Sequence, residues 1–442
     1  MKEFPCQDDH LLLLTRKESA WQNANDAGMT QKDTFDIAFV KELYQNLDNS
    51  LREAVDQTID AIVTARQQGG SVVVVTGSGP NIHEGVTTLI AELIQKGIVG
   101  GVSTSAAVVA HEMAGSLERV KRVDGARLGL DPALLPKGEM FEINLLAGAT
   151  LETLQQEMVL DTELLQRVQE QPGQVLIKAA GNMAYPLGLR TERLALEVEA
   201  LAQLGGHSFE HVAGLGGDPH TMIGAGALKG VPVLVSVPQL IGGGMVGLCI
   251  GDSISLKQRS ARIARMLAEA SVIIESGVAL TQEIHDGPFE TYTGHGIWSA
   301  WEGMQTFSLS GKTLARIDLD PNLEKVWQIE RGSKNVQQSI DQGLPKAKTL
   351  RVPFRMEMSG FARLEGSIPL VGDLGVIWPI LAWQVAERLG IALDFLSYPQ
   401  ESAPGQAMRE WIVENVGILD RKRMKNALTP GPSPRLRERG DV

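Results

Sequence analysis

Between Phe35 and Gln68 the apolar residues Ile37, Val40, Leu43, Leu47, Leu51, Val55, Ile59 and Ile62 recur every three or four positions, the period of an amphipathic helix. Four consecutive valines follow at Val72–Val75, a run that reads as a strand buried on both faces. The chain then passes at once into a glycine loop, Thr76 to Gly85, and into a helical pattern from His83 to Gln95. Further short apolar runs predict strands at Ile98–Val102, Gln174–Ala179, Val231–Val237, Ser271–Ser276 and Thr313–Asp318. Helical periodicity fills most of residues 131–204, including Leu194–Leu204, and returns at Ser255–Ala270. Strands that alternate with helices of this length are joined by parallel crossovers, so the pattern predicts an α/β fold with a doubly wound, mostly parallel Rossmann-like sheet.

Beyond this sheet, residues 350–420 show a strand pair near Arg351–Met356 and Ala362–Pro369 and helices at Gly375–Leu389 and Gly405–Val416, read as a small C-terminal α+β appendage. The expected organisation is an N-terminal extension over 1–35, a nucleotide-binding domain over 36–345, the appendage over 346–422 and a Pro- and Arg-rich disordered tail over 423–442. The segment Gly230–Gly251 carries no charge, yet Pro232, Pro238, Gln239 and the triple glycine Gly242–Gly244 interrupt it. It therefore reads as a buried strand, a glycine turn and a helix start rather than a membrane span.

Composition narrows the partners. With 43% hydrophobic and 21% charged residues the chain has enough apolar mass for a real core. Its net charge of −12 opposes a phosphate backbone, so nucleic acid is not an expected partner. Cys6 and Cys249 form no disulfide or metal spacing, and the N-terminus lacks the form of a signal peptide. A cytoplasmic protein is expected. The 47 glycines exceed the usual share of roughly 7% and cluster where apolar runs end, as ligand-facing turns do.

Five segments carry candidate chemistry. Thr76, Gly77, Ser78 and Gly79 form a loop whose backbone amides can approach a pyrophosphate, or a turn shaped only by packing. Ser103, Thr104 and Ser105 follow a strand and can line a nucleotide, and His111 beside Glu112 forms a candidate proton-transfer pair or a surface detail of a helix. His207, His211 and His220, with Glu210 and Asp218, offer metal-ligand chemistry, against which the surrounding glycines argue. Thr281, Glu283, His285 and Asp286 gather after a strand, at the carboxyl edge where ligands of open parallel sheets collect, or form a solvated polar loop. Asp318 and Asp320 end another strand, where an acid accepts hydrogen bonds from a ribose or caps the next helix.

In this order the landmarks resemble the deoxyhypusine synthase-like NAD/FAD-binding superfamily over Leu43 to Gly343. The nucleophilic lysine of deoxyhypusine synthase lies in a Ser-Trp-Gly-Lys stretch, and the corresponding segment here, Trp298 to Gly303, has no lysine, so that reaction is not implied. The sequence is more similar to the ornithine cyclodeaminase (LOR/SDH-like) branch. Thr76 to Pro80 resembles its T-G-G-G-P loop, Ala106 to Glu112 its small-residue run ending in His and an acid, and Asp318 to Pro321 with Arg331 to Ser333 its D-x-[DN]-P and R-G-S pair. Arg316 to Pro321 also resembles the central domain of thiamine diphosphate enzymes, without their Gly-Asp-Gly segment. The resemblance implies an NAD-dependent enzyme acting on a small amine or amino acid through hydride abstraction at the carbon bearing nitrogen. It implies a homodimer or homotetramer, with Thr76, Gly77, Ser78, Gly79, Ser103, Thr104 and Ser105 on the cofactor, Asp318 or Asp320 on a ribose, and His111 with Glu112 or His285 with Asp286 moving the proton. Two other readings stand beside it: a non-catalytic nucleotide-binding regulatory protein, and a metal-dependent hydrolase built on His207, His211 and His220.

Overall fold

A computed structural model describes residues 36–77, 79–136, 138–181, 183–240, 242–277, 301–303, 306–325, 328, 338, 341–344, 351 and 366–428. Six parallel strands form the main sheet: β1 (Ser71–Thr76), β2 (Gly101–Thr104), β6 (Val233–Val235), β7 (Ala270–Ser276), β8 (Thr313–Asp318) and β9 (Ser367–Val371), in the spatial order β6-β2-β1-β7-β8-β9. Counted within this sheet alone, the order runs third, second, first, fourth, fifth, sixth, which is the dinucleotide-binding arrangement of two half-sheets meeting at a switch point. A second sheet, β3 (Leu117–Asp124), β4 (Met140–Asn144) and β5 (Gln174–Ala179), is antiparallel in the order β4-β3-β5 and is inserted between β2 and β6.

The valine run is buried on both faces, as its composition requires. Val72 and Val74 point into the larger apolar core with Val102 and Ile274, while Val73 and Val75 point into a smaller one with Ile263, Leu267, Ile273 and Leu314. The larger core lies under helices α1 (Ile37–Gln45), α2 (Asn49–Gln67), α3 (Pro80–His83), α4 (Val86–Gln95) and α5 (Ala106–Met113). The insertion adds α6 (Gly148–Glu157), α7 (Thr162–Glu170) and α8 (Leu187–Gly205). Then come α9 (Phe209–Gly216), α10 (Met222–Lys229), α11 (Met245–Ser253) and α12 (Leu256–Glu269), the last covering the smaller core. The chain closes with α13 (Leu374–Leu389), α14 (Ala403–Asn415) and α15 (Arg421–Leu428).

Several expectations need correction. The helix over Phe35–Gln68 is two helices, because Asp48 accepts the Leu51 N–H at 2.9 Å and starts α2 afresh. The helix expected from His83 is likewise divided, since Gly85 takes a left-handed φ of 68° between α3 and α4. Met140–Asn144, within the mostly helical stretch, is a strand.

Residues 366–428 are not a separate appendage. β9 pairs in parallel with β8, Ile368 facing Ala315 and Leu370 facing Ile317, so it is the edge of the main sheet. The helices after it clasp the molecule: Trp378 is buried in the main core, Arg409 donates to the Ile177 carbonyl of β5 at 2.7 Å, and the Leu419 N–H donates to the Met113 carbonyl at 3.0 Å. The uncharged segment folds as read, giving β6, a glycine turn and α11, and no helix among the described residues is long and apolar enough to cross a membrane. The expected disordered tail over 423–442 is corrected in its first part, where residues 423–428 belong to α15 with Met424 buried; the rest of it, the N-terminal extension and most of the first strand of the expected C-terminal pair lie outside the described residues.

Candidate functional site

The chain leaves β1 for β2 on one side and places β7 on the other, so the carboxyl ends of β1 and β7 bound the crevice in which open α/β sheets receive ligands. Its floor is a buried hydrogen-bond set. Asn81 Nδ2 donates to the Ser276 carbonyl at 3.0 Å, the Ser276 hydroxyl donates to Asn81 Oδ1 at 2.5 Å, and Trp378 Nε1 donates to that hydroxyl at 2.7 Å. These contacts tie the first loop, the end of β7 and α13 together, fixing the crevice walls without using a side chain that faces outward.

On the β2 side of this point lies a cavity of about 380 Å³. Its wall is glycine-rich where three loops meet: Gly79 after β1, Gly181 after β5, and Gly242–Gly244 before α11. Gly79 has φ 67°, and a Cβ added there would meet no atom within 4 Å, so its backbone faces open space. Gly243 instead lies on the start of α5, where a Cβ would sit 2.8 Å from the Ala106 carbonyl. Only glycine allows that turn to close the cavity.

The polar part of the wall consists of His83, His111, Lys178, Thr191 and Glu192. His111 Nδ1 lies 2.5 Å from the Ala180 carbonyl, and since a carbonyl only accepts, Nδ1 carries the proton and Nε2 keeps its lone pair. Burial holds His111 below the ordinary histidine value, and the positive charge of Lys178 acts in the same direction. Burial also lowers His83, helped by Arg409, His111 and Lys178. Both imidazoles are therefore neutral at neutral pH, the state a general base needs. Lys178 Nζ is held 2.5 Å from Glu142 Oε2, and Arg122 holds the other oxygen. Burial alone would raise Glu142, but these two cations keep it below the usual carboxylate range. Behind this row Glu118 is buried, bonded to Asn144, and pushed by desolvation up to about 8.

The residues expected from the sequence divide. Gly79 and His111 meet in the cavity, joined by His83, Lys178 and Thr191, which the sequence reading did not single out. Thr76 ends β1, buried, with its hydroxyl 3.4 Å from the Gly77 carbonyl. Ser103 and Thr104 end β2 with buried, unpaired hydroxyls and do not line the cavity, whereas Ser105 accepts the Val108 N–H and caps α5. The His111–Glu112 pair is not formed: Glu112 is buried on another side of α5, where its two oxygens accept the Met222 and Ile223 N–H groups at 2.8 and 3.0 Å. Asp318 accepts the Asp320 N–H and an Arg316 bond, and Asp320 accepts the Asn322 N–H. Both are thus engaged in the turn after β8.

The histidine trio also separates. His207 and His211 have ring centroids 4.9 Å apart, but His220 bonds Asp218 and packs edge-on against Trp411, and no group of ligand side chains among the described residues can hold a metal ion. Ser78, Thr281, Glu283, His285, Asp286 and Arg331 to Ser333 lie outside the described residues.

No family model matches the sequence, and no curated protein matches it. Among solved structures the chain is similar to ArgZ, an arginine dihydrolase from the ornithine-ammonia cycle in cyanobacteria, at 13% identity and a TM-score of 0.34 over 75% of this chain and 32% of that one. A ternary complex of AgrE with ornithine and NAD+ aligns at 13% identity and a TM-score of 0.37, over 77% of this chain and 34% of that one. A conserved putative LOR/SDH protein from Methanococcus maripaludis S2 aligns at 10% identity and a TM-score of 0.30, over 88% of this chain and 76% of that one. The chain thus spans about a third of the length of ArgZ and AgrE.

Proposed function

We propose that this chain is an NAD-dependent enzyme acting on a small amine or amino acid, with its site in the glycine-walled cavity at the carboxyl edge of the sheet. The observation that carries the reading is the meeting, beside the switch point of a dinucleotide-type sheet, of an open glycine backbone at Gly79 with a neutral His111 whose Nε2 is free to accept a proton. The residues present fit a dinucleotide. The Gly79 cradle has room that a Cβ would occupy, and the Thr191 hydroxyl at the cavity wall is buried and unpaired.

A bound NAD, held by the Gly79 backbone and the Thr191 hydroxyl, would supply a hydride acceptor for the substrate carbon bearing nitrogen. His111 Nε2 takes the amine proton, because Ala180 holds the ring by its other nitrogen. Lys178, braced by Glu142, supplies a fixed positive charge that suits a substrate carboxylate. His83 stands as a second neutral imidazole on the same wall.

The experiment is to mix the full chain with NAD and a panel of amino acids and diamines, following reduced-nicotinamide absorbance in single turnover and ammonia in steady state. Turnover of one amine, lowered about a hundredfold or more in His111→Ala, is the expected result. NAD binding with no turnover across the panel would favour the regulatory reading instead.

A further inference from the structure

A larger cavity, about 560 Å³, opens at the opposite edge of the main sheet, where the strands begin. Ser71 at the start of β1, Gly100 before β2 and Val233 at the start of β6 form its floor, α9 and α10 one side, and α12 the other. The charge here runs against that of the whole chain. In a protein of net charge −12, His207, His211, Arg262 and Arg265 converge on this one cavity. Only two acids line it, and one of them, Glu210, is already consumed: its carboxylate is buried against Arg259 and accepts the Val235 N–H at 2.7 Å. The other is the exposed Glu269. Neither Arg262 nor Arg265 makes an ion pair with any described residue, although Arg262 is half-buried. His207 and His211 have ring centres 4.9 Å apart, an arrangement that costs energy when both are charged and no anion is near.

We propose that this cavity is a second ligand site that binds a small phosphate-bearing anion. Two guanidinium groups and two imidazoles present more donors than a single carboxylate can accept, whereas a tetrahedral dianion can meet all four. The volume exceeds that of inorganic phosphate alone, and Ile223, Ala227, Val231 and Met266 give it an apolar wall against which the carbon body of a phosphate ester rests. Burial, His207 and Arg262 together hold His211 below its ordinary value, so a bound dianion raises it. Because the site lies at the amino edge of the strands, its occupant does not contact the cavity around His111.

The test titrates the full chain with inorganic phosphate and, separately, a hexose phosphate, against sodium chloride of equal ionic strength, reading heat and thermal unfolding. Saturable binding of either probe is expected in the wild type and in Gly79→Asp, whose lesion lies in the other cavity. Arg262→Ala and Arg265→Ala weaken it about tenfold or more, Arg262→Lys less, and the His211 ring protons titrate at higher pH when phosphate is present. Arg265 is exposed and Arg262 half-buried on α12, and the unfolding curves of the variants check that each folds. No saturable binding beyond the chloride control, or binding that survives both alanine variants, would overturn the assignment.

Discussion

At the scale of the residue, two titrating groups make the site testable. With His111 as the proposed base, which acts only when neutral, kcat/KM is expected to fall on the acid side as the pH drops through its lowered pKa. Removing the nearby charge in Lys178→Met lets that pKa rise and moves the acid limb to higher pH, while His111→Ala lowers kcat/KM by about a hundredfold to ten-thousandfold. An unmoved limb in Lys178→Met would show that another group titrates. Glu118 affects stability. Its folded pKa of about 8 lies above the ordinary 4.5, so its contribution is complete below the unfolded value and is lost as the pH rises through the folded one. Chemical denaturation between pH 5 and pH 8 is expected to show a decline in stability that Glu118→Gln reduces. His111 and Gly79 were legible because their neighbours in sequence belong to the same loop and helix, whereas Lys178 and His83 give no such signal. Lys178 reaches the cavity only because the inserted sheet folds back onto it.

At the scale of the element, the carboxylate after His111 matters to packing rather than to catalysis. Successive residues of a helix point about 100° apart, so when His111 faces the cavity Glu112 must face elsewhere. It meets the first N–H groups of α10, which have no intrahelical partner, and desolvation raises it to about 7. Glu112→Ala leaves those buried donors unpaired and costs about 1–3 kcal/mol, measured as a lower urea midpoint with little change in slope. An unchanged midpoint would mean that α10 is held by other contacts. The helix breaks at Asp48 and Gly85 were present in the sequence as an N-cap acid and a glycine, and apolar periodicity ran over them. Leu117, Val120 and Val123 of β3 stand three apart, a spacing that does not alternate as a one-sided strand does, and all three are buried. The cause is that β3 is the central strand of its sheet and packs against α14, whose position no local pattern encodes.

At the scale of the whole molecule, the parallel sheet was the most legible feature, since fully buried strands such as β1, β7 and β8 announce themselves as apolar runs bounded by helices. The segment misjudged as an appendage was the least legible, because Ser367–Val371 is short, carries Pro369 and reads like any edge strand. Its membership of the main sheet depends on pairing with β8 far away in the chain. That pairing, with the clasp of α13 to α15, makes the two ends of the described chain one body around the crevice. NAD binding in the crevice and its glycine cradle is the proposal on which the rest depends. The most direct measurement is calorimetric titration of the full chain and of Gly79→Asp with NAD, with thermal unfolding of both as the folding control. Saturable binding in the wild type, weakened about a hundredfold or more in a folded Gly79→Asp that puts a carboxylate at the proposed phosphate position, is the predicted result. Absence of NAD binding by the wild type, or equal binding by a folded variant, would contradict the account.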